Sequence, residues 1–434
     1  MTQTIHPTSF DDAGFEAFIS ERGEPDWVAD IRRQAWSVFS ALDFPAGRGE
    51  EWSRTDIRTF HLDQFQLPAG DVSCDDLPPA LLAEGVDLGG RLVSHNSRSV
   101  VGELDPVLAD RGVVFTSLDQ AAAEHGDLLK EFLFSGDEAP ADKFAALHQA
   151  CWSGGAFLYV PPGVTIDRPL HALAALSNGG VDLGQTLVVL DEGADATLLT
   201  ETAGDESAAL HCGSMEVIVR RDARLRFVSL QNWGKRTWHF ARQRATVAEN
   251  ARLQWTIGAL GARTAKVNQD VVLAGPNSHI QVNGTMFTTG RQHLAYHTRQ
   301  HHQAPNCESD LLYKGALQDH SRIVWRGMIK VDPEAQKTNG YQRDDNLMLS
   351  PHARADSIPG LEIEADDVIC THGATAGAVD EEQIFYTQCR GLSREEAVRM
   401  IVAGFFQQVF DRITIESVRE ALGETIGRRV RHLS

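Results

Sequence analysis

The sequence predicts a mainly β chain, with a solenoid core between helical parts. Three observations carry this. From Gly155 onward, short β-rich segments replace helical periodicity. A weak repeat runs through GADATLLTE, RDARLRFVSLQ, ENARLQWTIG and PNSHIQVNG, with Asp195, Asp222, Asn250 and Asn277 spaced by 27, 28 and 27 residues. After Gly377, capping signals and a 3.6-residue period return. A repeat of this length marks stacked units that bury their inward side chains against their neighbours. Asp and Asn suit the corners because they tolerate left-handed backbone. An evenly spaced β-sandwich is the competing architecture.

In chain order, residues 9–22 read as a helix capped by Ser9, with Phe15, Phe18 and Ile19 on one stripe and Gly23 at its end. A second helix is expected from Pro25 to about Leu42, burying Val28, Ile31, Ala35, Val38 and Phe39. Residues 44–60 are a Gly/Pro break and an aromatic-rich segment, and 61–100 carry little signal. DLPPALLAEG (76–85) reads as a linker or short helix. Helical stretches near 117–134 and 139–150 precede AFLYVPPGVTI (156–166), two short strands around a Pro-Pro-Gly turn. Looser copies of the repeat follow at Asp319 and His352. Asp380 with Gln383, and Ser393 with Glu396, read as capping boxes. The second opens a helix with a broad apolar stripe, Val398, Ile401, Val402, Phe405, Phe406, Val409, Phe410 and Ile413. A short helix, about 415–422, precedes Gly423 and a basic tail. The expected domains are 1–100, mostly helical with a linker; 101–378, the solenoid core preceded by helices to about 150; and 379–434, helical.

Composition narrows the function. With 40 basic and 60 acidic residues among 434, the net charge of −20 argues against nucleic acid and anionic membranes as partners. No apolar run is long enough to span a bilayer, and MTQTIHPTSFDD lacks the regions of a signal peptide, so a cytoplasmic protein is expected. The six cysteines (Cys74, Cys151, Cys212, Cys307, Cys370 and Cys389) show no CxxC pair, so neither a disulfide framework nor a paired-cysteine zinc site is expected. No hydrolase elbow, phosphate-binding glycine loop or dinucleotide fingerprint is present.

Two groups of side chains suggest metal chemistry. His293, His297, His301, His302 and Cys307 lie close together, with a His-x3-His spacing that suits a helix face; a polar loop with surface histidines is the plainer reading. In ADDVICTHGATAG (365–377), Cys370 and His372 are two residues apart, so a strand would carry both on one face. Thiol and imidazole both bind iron, zinc or copper, whereas a buried structural pair is the bland alternative.

Long stretches resemble the SufB/SufD family of iron–sulfur cluster assembly proteins: EADDVICTHGATAGAVDEEQIFYTQCRGL (364–392), residues 311–363 and DKFAALHQACWSGGAFLYVPPGV (142–164), with weaker matches at SLQNWG and EEWSRTDIRTF. Within that family the CTHGAT form is similar to SufD. SufB-like chains carry a cysteine where RDDNLMLS here has Asp344.

The resemblance implies a right-handed parallel β-helix flanked by N- and C-terminal helical domains. It implies a non-catalytic scaffold subunit that pairs with a SufB-like protein and binds a SufC-like ATPase through C-terminal helices, with Ile401, Phe405, Phe406 and Val409 as candidate contacts. His372 matches the family histidine at the interface where a nascent iron–sulfur cluster forms, and Cys370 matches a nearby cysteine. The cluster is then transient cargo shared with the partner, and no cofactor is held tightly by the isolated chain, for which a homodimer is one form. The competing reading is a β-helix enzyme acting on polysaccharide, or a metal-dependent hydrolase. It requires a groove lined with carboxylates or histidines.

Overall fold

The computed structural model describes residues 9–45, 47, 49–68, 77–136 and 139–430. Cys74, Asp76, Arg431 and His432 lie outside them. The chain opens with α1 (Asp12–Arg22) and α2 (Asp26–Ala41). Asp11, not Ser9, caps α1: its side chain accepts the Gly14 N–H at 2.8 Å. Gly23 ends the helix at φ 59°. Residues 77–85 form no helix. Next come β1 (Gly90–His95), β2 (Arg98–Leu104), α3 (Pro106–Asp110), β3 (Val114–Ser117), α4 (Leu118–Glu124), α5 (Gly126–Phe132) and α6 (Lys143–Cys151). The stretch expected as one helix over 117–134 is thus α4 and α5, separated at His125.

The solenoid follows as β4 (Ala156–Val160), β5 (Leu170–Leu176), β6 (Val181–Asp182), β7 (Gln185–Leu190), β8 (Asp195–Gly204), β9 (Ala209–Val219), β10 (Arg224–Asn232), β11 (Thr237–Val247), β12 (Arg252–Ala259), β13 (Thr264–Leu273), β14 (His279–Thr288), β15 (His293–His302), β16 (Glu308–Leu317), β17 (Arg322–Val331), β18 (Asn339–Met348), β19 (Arg354–Ile363) and β20 (Ile369–Ala378). The helices α7 (Glu381–Gln388), α8 (Arg394–Phe410) and α9 (Glu416–Arg429) close the chain.

Alternate strands fall into two sheets. One runs β2-β1-β5-β8-β10-β12-β14-β16-β18-β20, the other β19-β17-β15-β13-β11-β9-β7-β4-β3. Pairing is parallel except at β1/β2 and β3/β4. The stacked-strand expectation therefore holds as a parallel β-solenoid. Because β1 pairs with β5, the solenoid sheet begins at Gly90, and the expected boundary at 100 falls inside β2.

The corners explain the repeat. Asp222, Asn250, Asn277, Asn306 and Lys337 adopt φ of 55–60° where the chain passes from the second sheet to the first. Asn277 Nδ2 donates to Asn250 Oδ1 at 3.0 Å, tying successive coils. Asp195 is not a corner residue. Gly193 takes that geometry at φ 67°, and Asp195 starts β8, where it accepts Arg226 at 2.6 Å. Asp319 is left-handed, at φ 61°, but on the opposite corner, and His352 is not left-handed.

Inward side chains fill the lumen with a continuous apolar core that includes Leu198, Phe227, Trp255, Val282, Tyr313 and Trp325. The N-terminal helices cover the outer face of the second sheet, where Phe60, Phe144 and Trp52 pack against Trp238 and Phe240. The C-terminal helices cover the outer face of the first sheet, where Val398, Phe406 and Leu422 meet Val228, Leu230 and Phe287. Ser393 and Glu396 form the expected capping box of α8. α9 does not stop at Gly423 but runs to Arg429, because Leu422 and Ile426 are buried in this layer. That burial outweighs the roughly 1 kcal/mol that a glycine costs a helix interior.

Candidate functional site

The C-terminal end of the solenoid is open. β20 has a single neighbour, β18, and β19 has a single neighbour, β17. Each therefore offers one unpaired edge, the form of surface that accepts another chain. Apolar side chains are exposed there: Ile369 is 69% exposed, Ile363 40% and Leu361 37%.

Register places the two sequence-predicted residues on this last coil. Cys370 pairs with Gly340, and His372 pairs with Gln342. Gln342 faces inward, donating to the Gly360 carbonyl of β19 at 2.9 Å, so Cys370 and His372 share the lumen-side face. His372 is exposed. Cys370 is half-buried beside Ile329, Val331, Ala335 and Ala365. Burial raises its thiol above the ordinary range, against a backbone hydrogen bond with Gly340. At neutral pH it is a protonated thiol, a poor nucleophile.

One rung inward stands Asp344, wholly buried. Its Oδ2 accepts Ser357 Oγ of β19 at 2.5 Å and Asn346 Nδ2 at 2.6 Å. Burial pushes its carboxyl up to about 7; the hydrogen bonds from Ser357 and Asn346 oppose that rise, and the Asp345 charge adds to it. Where the resemblance leads one to expect a cysteine in SufB-like chains, this coil holds a buried acid.

One thiol and one imidazole do not complete the coordination of a metal. Among the described residues no group of three or more His, Cys, Asp or Glu is placed to hold one. What the end presents is one thiol and one imidazole on an unpaired edge strand.

The histidine-rich segment is neither helix nor loop but β15. His293 and His301 lie eight residues apart on one face of a strand, at about 3.3 Å per residue too distant to share a metal. Three of the four histidines have local polar neighbours. His297 Nδ1 lies 3.2 Å from Glu51, His301 Nε2 2.8 Å from Asp332, and His302 points inward to Ser309 Oγ at 2.8 Å. Burial pushes His302 down to about 4. Cys307 is buried, receiving the Ser278 hydroxyl at 3.1 Å.

The four candidate ATPase contacts separate into two kinds. Phe406 and Val409 are both fully buried, Phe406 in the cluster that joins the C-terminal helices to the solenoid, so neither side chain lies on the free surface of the chain. Ile401 and Phe405 are half-buried at its margin, Phe405 with Lys314 Nζ 4.6 Å from its ring centroid. The exposed apolar side chains of this domain are Phe385 (68%), Tyr386 (59%), Met400 (53%) and Leu392 (37%). Sequence reading missed them. The available signal was that Phe385 and Tyr386 lie off the buried Ile384–Thr387 face of α7.

A surface cleft of about 710 Å³ lies between the segment around Trp52, α6 and the outer face of β11–β17. Its carboxylates are engaged. Glu51 pairs with Lys266 at 2.6 Å, Asp270 with Arg299 at 2.9 Å and Glu362 with Lys330 at 2.8 Å, while Asp142 accepts two backbone N–H groups of α6. This pattern is one of structural ion pairs rather than of an acid/base couple.

Comparison with known proteins agrees with the architecture. Residues 173–405 match the family described as "SUF system FeS cluster assembly, SufBD core domain", and residues 16–172 match "SufBD protein N-terminal region". The iron–sulfur cluster assembly SufBD family proteins of Staphylococcus haemolyticus and Staphylococcus epidermidis are each 29% identical over 436 residues, covering 94% of this chain and 93% of the relative. A Staphylococcus aureus relative of the same description is 28% identical with the same coverage. With its N-terminal region and its solenoid core both matched, the chain belongs to the SufBD family of iron–sulfur cluster assembly proteins.

Proposed function

We propose that this chain is a SufD-like, non-catalytic subunit of a SufBCD-type complex, and that it contributes His372 to a site shared with a SufB-like partner, where an iron–sulfur cluster is built as cargo. The observation that carries this reading is the position of His372. It is exposed on an unpaired edge strand, next to an inward-facing cysteine, with too few ligands of its own. A second chain docking on β19 and β20 would complete the set. Asp344 supports the SufD-like assignment, because it removes the cysteine expected of a SufB-like chain.

A SufC-like ATPase is the proposed second partner. The exposed residues Phe385, Tyr386, Leu392 and Met400, with the margins of Ile401 and Phe405, are the surface it would meet. ATP-driven closure of that subunit would then move the paired solenoids and open their shared edge. The proposed setting is the cytoplasm. No helix among the described residues is long and apolar enough to cross a membrane.

Co-purification of the chain with its native partners, followed by anaerobic spectroscopy, tests the proposal. A complex containing a SufB-like chain and an ATPase, and forming clusters only with both present, is the expected result. Recovery of the chain alone, with an activity of its own on polysaccharide, would overturn it.

A further inference from the structure

The sequence places two aspartates side by side in the last fully flanked strand, β18, and the fold sends them to opposite faces. Asp344 points into the lumen, and Asp345 lies on the outer face, 4% exposed. Each engages a different edge strand. Asp344 Oδ2 accepts Ser357 Oγ of β19 at 2.5 Å, and Asn346 Nδ2 adds a contact to the same hydroxyl at 3.2 Å. Asp345 Oδ1 accepts Thr375 Oγ1 of β20 at 2.6 Å. Arg343 holds Asp345 from the same strand at 2.9 Å, and Lys314 of β16 lies 3.9 Å away.

These links matter because of the topology. Among the described strands β19 pairs only with β17 and β20 only with β18, so the two edge strands belong to different sheets. Main-chain pairing fixes each strand to its own sheet. It does not fix one edge relative to the other. Side chains of β18 supply the polar part of that link, since β18 pairs with β20 and reaches across the lumen to β19, beside the apolar contact of Cys370 with Ile329 and Val331 of β17. His372 stands in β20 between Cys370 and the Thr375 link.

We propose that Asp344 and Asp345 form a two-faced clamp on the terminal coil, Asp344 holding β19 through Ser357 and Asp345 holding β20 through Thr375, so that His372 meets the partner chain in one fixed position. They are positioning residues. The inference rests on the shared-site reading of His372 for its functional half, whereas its structural half stands on the contacts alone.

The test uses the full chain, free and in its complex, and follows amide hydrogen exchange together with cluster formation. Ser357→Ala and Thr375→Val remove one link each without unburying a charge. Loss of one hydrogen bond to a carboxylate corresponds to about a tenfold rise in local opening. Ser357→Ala is expected to raise exchange about tenfold in residues 354–363 and to leave 369–378 unchanged. Thr375→Val is expected to do the reverse. Both should slow cluster formation in the complex, and β10–β14 should not respond. Asp344→Asn keeps an acceptor oxygen for Ser357, so it should preserve protection of 354–363, whereas Asp344→Ala should lose it.

Unchanged exchange in both single variants, or an equal rise in both strands, overturns the clamp. Loosened strands with undiminished cluster formation overturn the positioning role. Failure of the shared-site reading itself shows separately, as a His372→Ala complex that builds clusters normally with an unaltered exchange pattern.

Discussion

Replacing Asp344 with Asn should stabilise the terminal coil at alkaline pH and do little in acid. The carboxyl is wholly buried, and its Oδ1 has no hydrogen-bond partner among the described residues. Burial raises it from 3.8 to about 7, with the neighbouring charge of Asp345 pushing the same way. Tyr313 also faces it. The folded state thus keeps a proton that the unfolded chain releases. Stability from this group falls as pH rises from about 4 to about 7, and the full penalty stands above that. At roughly 1.4 kcal/mol per pH unit, the penalty is about 4 kcal/mol above pH 7 and about 1–2 kcal/mol at pH 5. Asn fills the same volume and cannot ionise. The gain of Asp344→Asn over the native chain should therefore grow by about 2–3 kcal/mol between pH 5 and pH 8. Solenoids open from their ends, so exchange of β18 amides, compared between the two proteins at each pH, reads this locally. A gain that is equal at pH 5 and pH 8, or a loss at both, would refute the argument.

Other outcomes follow from the same structure. Asn277→Ala should cost about 1–2 kcal/mol, because the corner requires a left-handed residue, while Asn277→Gly should cost less; thermal unfolding of both variants decides it. Phe406→Ala should cost about 3–5 kcal/mol and free the C-terminal helices, as monitored by circular dichroism. Met400→Glu, on an exposed side chain, should change stability by less than about 0.5 kcal/mol and weaken ATPase capture in a pull-down. Cys370 should alkylate more slowly than the exposed Cys389 at pH 7.5, since its thiol is raised; mass-spectrometric labelling with equal rates would contradict this.

The coils were legible because their corners need left-handed residues. Asp222, Asn250 and Asn277 reveal that need at a regular interval, whereas Gly193 and Lys337 meet it without advertising it. β1 and β2 escaped notice because their hairpin turns on Asn96-Ser97, at φ 45° and 65°, without the familiar Asn-Gly pair. The α8 stripe marked a buried face correctly. It could not show how much of that face the solenoid itself covers, which is where Phe406 went. Cys370 and His372 were found because a strand puts alternate residues on one face. The role of Asp344 was visible only as a missing cysteine. Its partner Ser357 lies thirteen residues away and arrives by closure of a coil across the lumen, a contact that no local spacing encodes.

The central claim is that His372 serves a site completed by another chain. The most direct measurement is anaerobic cluster formation, followed by visible absorption and iron and sulfide content, in a complex carrying His372→Ala. The account predicts a complex of unchanged composition, with β20 protected as in the native chain, that accumulates little or no cluster. A complex of the same composition that builds clusters at the native rate would contradict it.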